Sequence, residues 1–147
     1  MSEIHGQCLC GSVRFRFDVE ELSAYQCHCS LCRKASGSAY STTLMVPERC
    51  FVWISGREKI SSYSKENGYR VDFCSGCGSP IPNRFRDLPL YSVPLGSVAD
   101  APEVKIVAQI YLGSKAEWEE GDLQGQKYNE MPALDKMLDL LQIDLQP

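Results

Sequence analysis

Seven of the chain's eight cysteines fall in three short clusters. Cys8 and Cys10 lie in GQCLCGS, Cys27, Cys29 and Cys32 in CHCSLC, and Cys74 and Cys77 in FCSGCGSP. Thiols packed this densely form disulfides, hold metal or run redox chemistry. The start, MSEIHGQCLCGSV, has neither the basic residues nor the apolar run of a signal peptide. No stretch approaches the ~18 apolar residues of a spanning helix. The expected compartment is therefore the reducing cytoplasm, where structural disulfides rarely persist. That leaves metal ligation and redox chemistry. No βαβ pattern surrounds either C-x-x-C, as a thioredoxin-like motif would need, and no spacing matches a ferredoxin run.

CSGCG has the composition of a zinc knuckle, two thiolates chelating one ion across a tight turn. Gly76 and Gly78 would supply the turn freedom and keep side chains away from the sulfurs. A closed tetrahedral site needs four ligands, and Cys8 and Cys10, followed by Gly11, could complete it with Cys74 and Cys77. Such a site would tie distant strands together. CHCSLC would then keep three thiols and no fourth, the pattern of a catalytic zinc with an open position. A rival partition joins Cys29 and Cys32 to Cys74 and Cys77 as a two-knuckle ribbon, leaving Cys8, Cys10 and Cys27 over. Cys50 stands alone and reads as a small buried hydrophobe. His28, between two cysteines of an extended segment, should point away from them and act as a structural or supporting residue. His5 reads as solvated.

The elements that must carry these clusters read mainly as strands. Val13, Phe15, Phe17 and Val19 alternate with Arg14, Arg16 and Asp18, the period of a half-buried strand. Residues 38–47 and 51–56 are rich in β-branched and aromatic types and are separated by a Pro-Glu-Arg turn. Tyr69, Val71 and Phe73 alternate with Arg70 and Asp72 in a strand that runs into CSGC, and LYSVPLG and VKIVAQIYLG add two more. Only the C-terminus looks helical: Leu134, Met137, Leu138 and Leu141 form one stripe, predicting a helix over about 132–143. With no repeat or linker, the 147 residues are expected to form one zinc-binding domain with its core over about 5–132. The net charge of −4, with scattered basic residues, argues against a nucleic-acid-binding face. Small basic groups beside the clusters, Arg33 and Lys34, Arg84 and Arg86, could still meet an anionic ligand.

The combination GQCLCGSVRF, CHCSLCRKASGSAY, FCSGCGSPI and NRF resembles the glutathione-dependent formaldehyde-activating enzyme family, which includes the centromere protein V-like proteins. The resemblance runs from about residue 5 to EMP near residue 132. It implies a mainly β fold, a β-tent of antiparallel sheets, with two zinc ions. Cys8, Cys10, Cys74 and Cys77 would hold a structural zinc, and Cys27, Cys29 and Cys32 a catalytic one. The implied activity is that of a carbon–sulfur lyase, joining glutathione and formaldehyde into S-(hydroxymethyl)glutathione. The implied partners are therefore a small thiol and a small carbonyl, with no nucleic acid and no membrane. The alternative reading is a non-enzymatic binding module in which both metals are structural. The chain departs from the family pattern at Gln109, where relatives often carry histidine, and at Glu117, where they often carry proline. Gln109 can hydrogen-bond but cannot titrate near neutral pH.

Overall fold

The computed structural model describes every residue of the chain other than Asp100, Pro102 and Pro147. Strands β1 (Ser2–Gln7), β2 (Arg14–Val19) and β3 (Leu22–Cys27) lead into a short helix α1 (Ser30–Ser36). Then follow β4 (Ser41–Pro47), β5 (Phe51–Ser55), β6 (Ile60–Ser64), β7 (Arg70–Cys74), β8 (Pro80–Ile81), β9 (Asn83–Arg84) and β10 (Leu90–Pro94). Two-residue β11 (Val98–Ala99), long β12 (Val104–Ile110), β13 (Gln126–Lys127) and helix α2 (Leu134–Leu140) complete the chain. Among the described residues, no helix is long and apolar enough to cross a membrane.

The strands form three sheets, ordered β11-β1-β2-β5, β13-β12-β3-β4-β10-β9 and β6-β7-β8. The expectation of antiparallel sheets holds for the first and third. In the second, β12 runs parallel to both β3 and β13. That pairing sets Gln109 beside Gln26 and Ile110 beside Cys27, and it bears directly on the site below.

The alternation in β2 buries Phe15 and Phe17 completely, together with Val13 just before the strand. These rings meet Ile4 from β1 and Leu22, Ala24, Leu44, Val46 and Val93 from the six-stranded sheet. Phe51, Trp53 and Tyr91 extend the cluster, with Phe51 stacked on Tyr91 at 4.2 Å between centroids. Truncating a buried phenylalanine of this kind to alanine costs about 3–5 kcal/mol. Gly6 is required by the same packing: a Cβ there would stand 2.2 Å from Phe15 Cζ. The six-stranded sheet buries its other face too. Tyr25, Cys27, Met45, Ala108 and Ile110 pack there against Met137 and Leu141 from the C-terminal segment.

Helix α2 is shorter than the predicted 132–143, because capping sets its end. Gln142 adopts a left-handed φ of 57°, and the Ile143 N–H donates to Leu138 O while the Gln142 N–H donates to Asp139 O. That pair of bonds is a Schellman stop. Helix α1 departs from the expectation that only the C-terminus is helical. In β7 Asp72 shares the buried face with Cys74, while Val71 and Phe73 are half-buried; Arg70 holds the Asp72 carboxylate with bonds of 2.8 and 3.0 Å. A charge-assisted fork of this kind offsets the cost of burying the carboxylate.

Candidate metal centres and cavity

Cys8 and Cys10 leave the end of β1 in a tight turn, in which Gly11 N–H donates to Cys8 O and Cys8 N–H to Val13 O. Cys74 and Cys77 sit in a matching turn after β7, closed by Gly78 N–H to Cys74 O at 2.7 Å. Gly78 has a φ of +77°, so glycine serves the backbone here. A Cβ on Gly78 would meet open space, and one on Gly76 would make ordinary contacts with the Cys74 and Cys10 sulfurs. The expectation that these glycines spare the sulfurs from crowding is therefore corrected. A bond from Leu9 N–H to Ser79 Oγ, 2.9 Å, fastens one turn to the other.

The four Sγ atoms of Cys8, Cys10, Cys74 and Cys77 all lie within 4.8 Å of one another. Cys8–Cys10 is 3.6 Å and Cys10–Cys74 3.9 Å. Tetrahedral zinc with bonds of ~2.3 Å needs sulfurs about 3.8 Å apart, so the donor set fits that ion. Hydroxyl hydrogen bonds favour the thiolate at Cys77 and Cys10. The Ser79 hydroxyl is the main cause of a Cys77 pKa pushed down to about 5. The Ser12 hydroxyl lowers that of Cys10. Cys8 and Cys74 are buried with Val13 and Ile81 in a small apolar cluster.

The second group is built from one continuous segment. Cys27 ends β3, Cys29 caps α1, and Cys32 lies in its first turn. The Cys29 sulfur accepts the Cys32 N–H at 3.3 Å, satisfying one of the orphan donors of the helix start. That cap folds Cys29 and Cys32 toward Cys27, and the three sulfurs also lie within 4.8 Å of one another. Hydrogen bonds from Cys27 and then Cys32 draw the Cys29 pKa down. The same shared bonds, to Cys29 first, raise that of Cys27. Cys29 and Cys32 share no cluster with Cys74 and Cys77, so the two-knuckle partition does not match the geometry.

A cavity of about 1080 Å³ opens over this second group, and Cys27, Cys29 and Cys32 all line it. None of Cys8, Cys10, Cys74 and Cys77 does. Its size is at the upper end for small-molecule sites, roughly 300–1,000 Å³. Tyr69 contributes a wall, its hydroxyl 3.5 Å from Cys32 Sγ. Burial, and then the bond to Cys32, push the Tyr69 pKa up, so the phenol stays protonated at neutral pH and can only donate or accept hydrogen bonds. Sequence reasoning missed Tyr69; its one available signal was a tyrosine opening the strand that leads to CSGC.

His28, which follows Cys27 in the chain, begins a buried polar chain. His28, with no exposed surface, exchanges a 2.6 Å hydrogen bond between Nε2 and Gln109 Oε1. The Gln109 amide nitrogen donates to Gln26 Oε1 at 2.7 Å and to Gln124 O at 2.9 Å, and Gln26 donates onward to Thr42. With Gln109 Oε1 as acceptor, Nε2 of His28 carries the proton. Gln109 is itself fully buried and does not line the cavity. Its place is to hold His28, which in turn packs on the Tyr40 ring. Among the other expected residues, Arg84 and Arg86 line the cavity, whereas Arg33 and Lys34 do not. Cys50 is half-buried against the main core, and His5 is exposed beside Glu3.

The model of a family described as glutathione-dependent formaldehyde-activating enzyme matches residues 3–114. A Halomonas elongata protein, provisionally named as a glutathione-dependent formaldehyde-activating enzyme, is 32% identical over 127 residues, or 80% of each chain. A Schizosaccharomyces pombe protein named as an uncharacterized lyase is 26% identical over 81 residues; the match spans 55% of this chain and 57% of that protein. In fold, the chain resembles the crystal structure of a Rhodobacter sphaeroides protein, with a TM-score of 0.57 and 21% identity. That likeness covers 70% of this chain and 99% of the other.

Proposed function

The chain belongs to the glutathione-dependent formaldehyde-activating enzyme family, and from that premise we propose that its cavity binds a thiol and joins it to a small carbonyl compound. Glutathione and formaldehyde are the reference pair, and the activity is that of a carbon–sulfur lyase. One observation carries this reading: of the two thiol groups, only Cys27, Cys29 and Cys32 open onto the cavity. We assign these three to a catalytic zinc and Cys8, Cys10, Cys74 and Cys77 to a structural one. Cys27, Cys29 and Cys32 would hold the catalytic zinc as thiolates, and the ion would supply a soft position for a substrate thiol, favouring its deprotonated form at neutral pH.

The chain's own residues do the rest. In the addition, the substrate sulfur forms a bond to the carbonyl carbon, the C=O π bond breaks, and the oxygen takes up a proton. Tyr69, protonated and facing the cavity, is the donor we assign to that developing alkoxide. Phe85, Ile110 and Met131 give the cavity an apolar wall. Gln109 supplies no acid or base; it holds His28, the residue between Cys27 and Cys29, by a hydrogen bond. Thiols clustered as metal ligands suit a reducing compartment, and the proposal accordingly places the protein in the cytoplasm.

The test is zinc per chain by elemental analysis, before and after mild chelation, with and without glutathione. Two zincs are expected, one easily stripped and protected by glutathione. Two inert zincs, or a labile one indifferent to glutathione, would replace the enzyme with a zinc-stabilised binding module.

A further inference from the structure

Three arginines line the cavity, Arg70, Arg84 and Arg86, and they are not equivalent. Arg70 already grips Asp72 through Nε and Nη2 at 2.8 and 3.0 Å. Arg84 grips Glu48 in the same two-pronged way, at 2.8 and 3.1 Å. A guanidinium fork filled by one carboxylate has spent its parallel donors. Arg86 has no acidic partner among the described residues. Its guanidinium lies 4.9 Å from the centroid of the Phe85 ring, and its single polar contact is a 3.9 Å approach to Met131 Sδ. Both neighbours also line the cavity.

Arg86 is held in this pose by its backbone. Its φ is +51°, a region that arginine rarely enters. The turn between β9 and β10 enforces it. Phe85 N–H donates to Leu90 O, Leu88 N–H to Phe85 O, and the Arg84 side chain to Leu88 O. A residue kept in a sparsely populated conformation by its surroundings is a mark of functional sites. The ring contact adds a second restraint, leaving the donor edge free.

We propose that Arg86 is the specificity residue of the cavity, where it reads a carboxylate on the thiol substrate, while Arg70 and Arg84 shape the wall. The preferred substrate is accordingly a thiol that bears a carboxylate, not a neutral or cationic thiol. This rests on the thiol–carbonyl reading above, and the probes are chosen to separate the two.

Dissociation constants are measured by calorimetry on the zinc-loaded protein for glutathione, its diethyl ester and S-methylglutathione. The variants are Arg86→Asn and Arg86→Lys; asparagine tolerates the left-handed backbone, so the turn is retained. Arg86→Asn is expected to weaken glutathione and S-methylglutathione by the same factor, roughly tenfold to a hundredfold, the scale of a charged hydrogen bond. The diethyl ester should change less than twofold, and Arg86→Lys should recover part of the loss. Unchanged glutathione binding by Arg86→Asn overturns the proposal and leaves the thiol reading standing. Equal losses for the ester and for glutathione also overturn it, since the variant would then have damaged the cavity as a whole. If S-methylglutathione binds the parent protein as tightly as glutathione, the thiol reading fails; a loss of that binding in Arg86→Asn would still support carboxylate recognition.

Discussion

The two thiol groups differ in how much chain they close. Cys10 and Cys74 are 64 residues apart, whereas the other group spans only the six residues from Cys27 to Cys32. A link across a long loop removes far more freedom from the unfolded chain than one across a short loop. The first group joins the turn after β1 to the turn after β7, two different sheets, and sits beside a small apolar cluster of its own. The second rides on a strand end and a helix cap that the neighbouring core already holds. On the proposed assignment, the first group stabilises the fold, and the second is expected to lose its ligand and keep its fold. The cavity lies over the second group, the one that closes the shorter stretch of chain.

The largest expected effect follows from that contrast. Cys74→Ser or Cys8→Ser should leave the protein unfolded or insoluble, because metal binding that counts as folding free energy, on the order of 10 kcal/mol, is lost. Circular dichroism and the soluble fraction would report it. Cys29→Ser should cost one of two zincs and the activity, yet keep a cooperative melt; unfolding as complete as that of Cys74→Ser would erase the distinction between the groups. Tyr69→Phe probes the cavity alone. We predict a kcat lower by about 10²-fold, the low end for losing one donor to a developing oxyanion, with two zincs still bound. An unchanged kcat would remove Tyr69 from the chemistry. The smallest effect belongs to the polar chain through His28, Gln109 and Gln26. Gln109→Leu strands His28 and Gln26, at a cost of about 1–3 kcal/mol, and should lower Tm by several degrees. If Gln109 were itself a catalytic group, kcat would fall with no change in Tm.

Much of this was readable from residue order. The β2 alternation placed Phe15 and Phe17 in the core, and the stripe through Met137 and Leu141 located the terminal helix. Helix α1 was missed because its cap is a cysteine, outside the usual capping set of Ser, Thr, Asp and Asn. The left-handed Gly37 that ends it, with Arg33 and Lys34 in the last turn, was the available signal. In β7 the alternation was read correctly as a strand, but its inner face belongs to Asp72 and Cys74. A period of two shows that faces alternate, and a paired charge can take the inner one.

Spacing alone determined that the chain carries three thiol clusters with too few ligands in any one of them for a closed four-sulfur site. Which clusters meet was decided by the tertiary structure, since Cys8 and Cys74 come together only once β1, β7 and their turns are fastened by bonds such as Leu9 to Ser79. The parallel pairing of β12 with β3, which sets Gln109 beside Gln26 and within reach of His28, was decided there as well. So was the difference between Arg86 and its neighbours, whose acids lie two residues away in one case and 36 in the other. The physical reason is common to all three. Local periodicity is a property of a strand by itself, whereas partner choice comes from hydrogen-bond ladders and side-chain contacts between segments far apart in the chain.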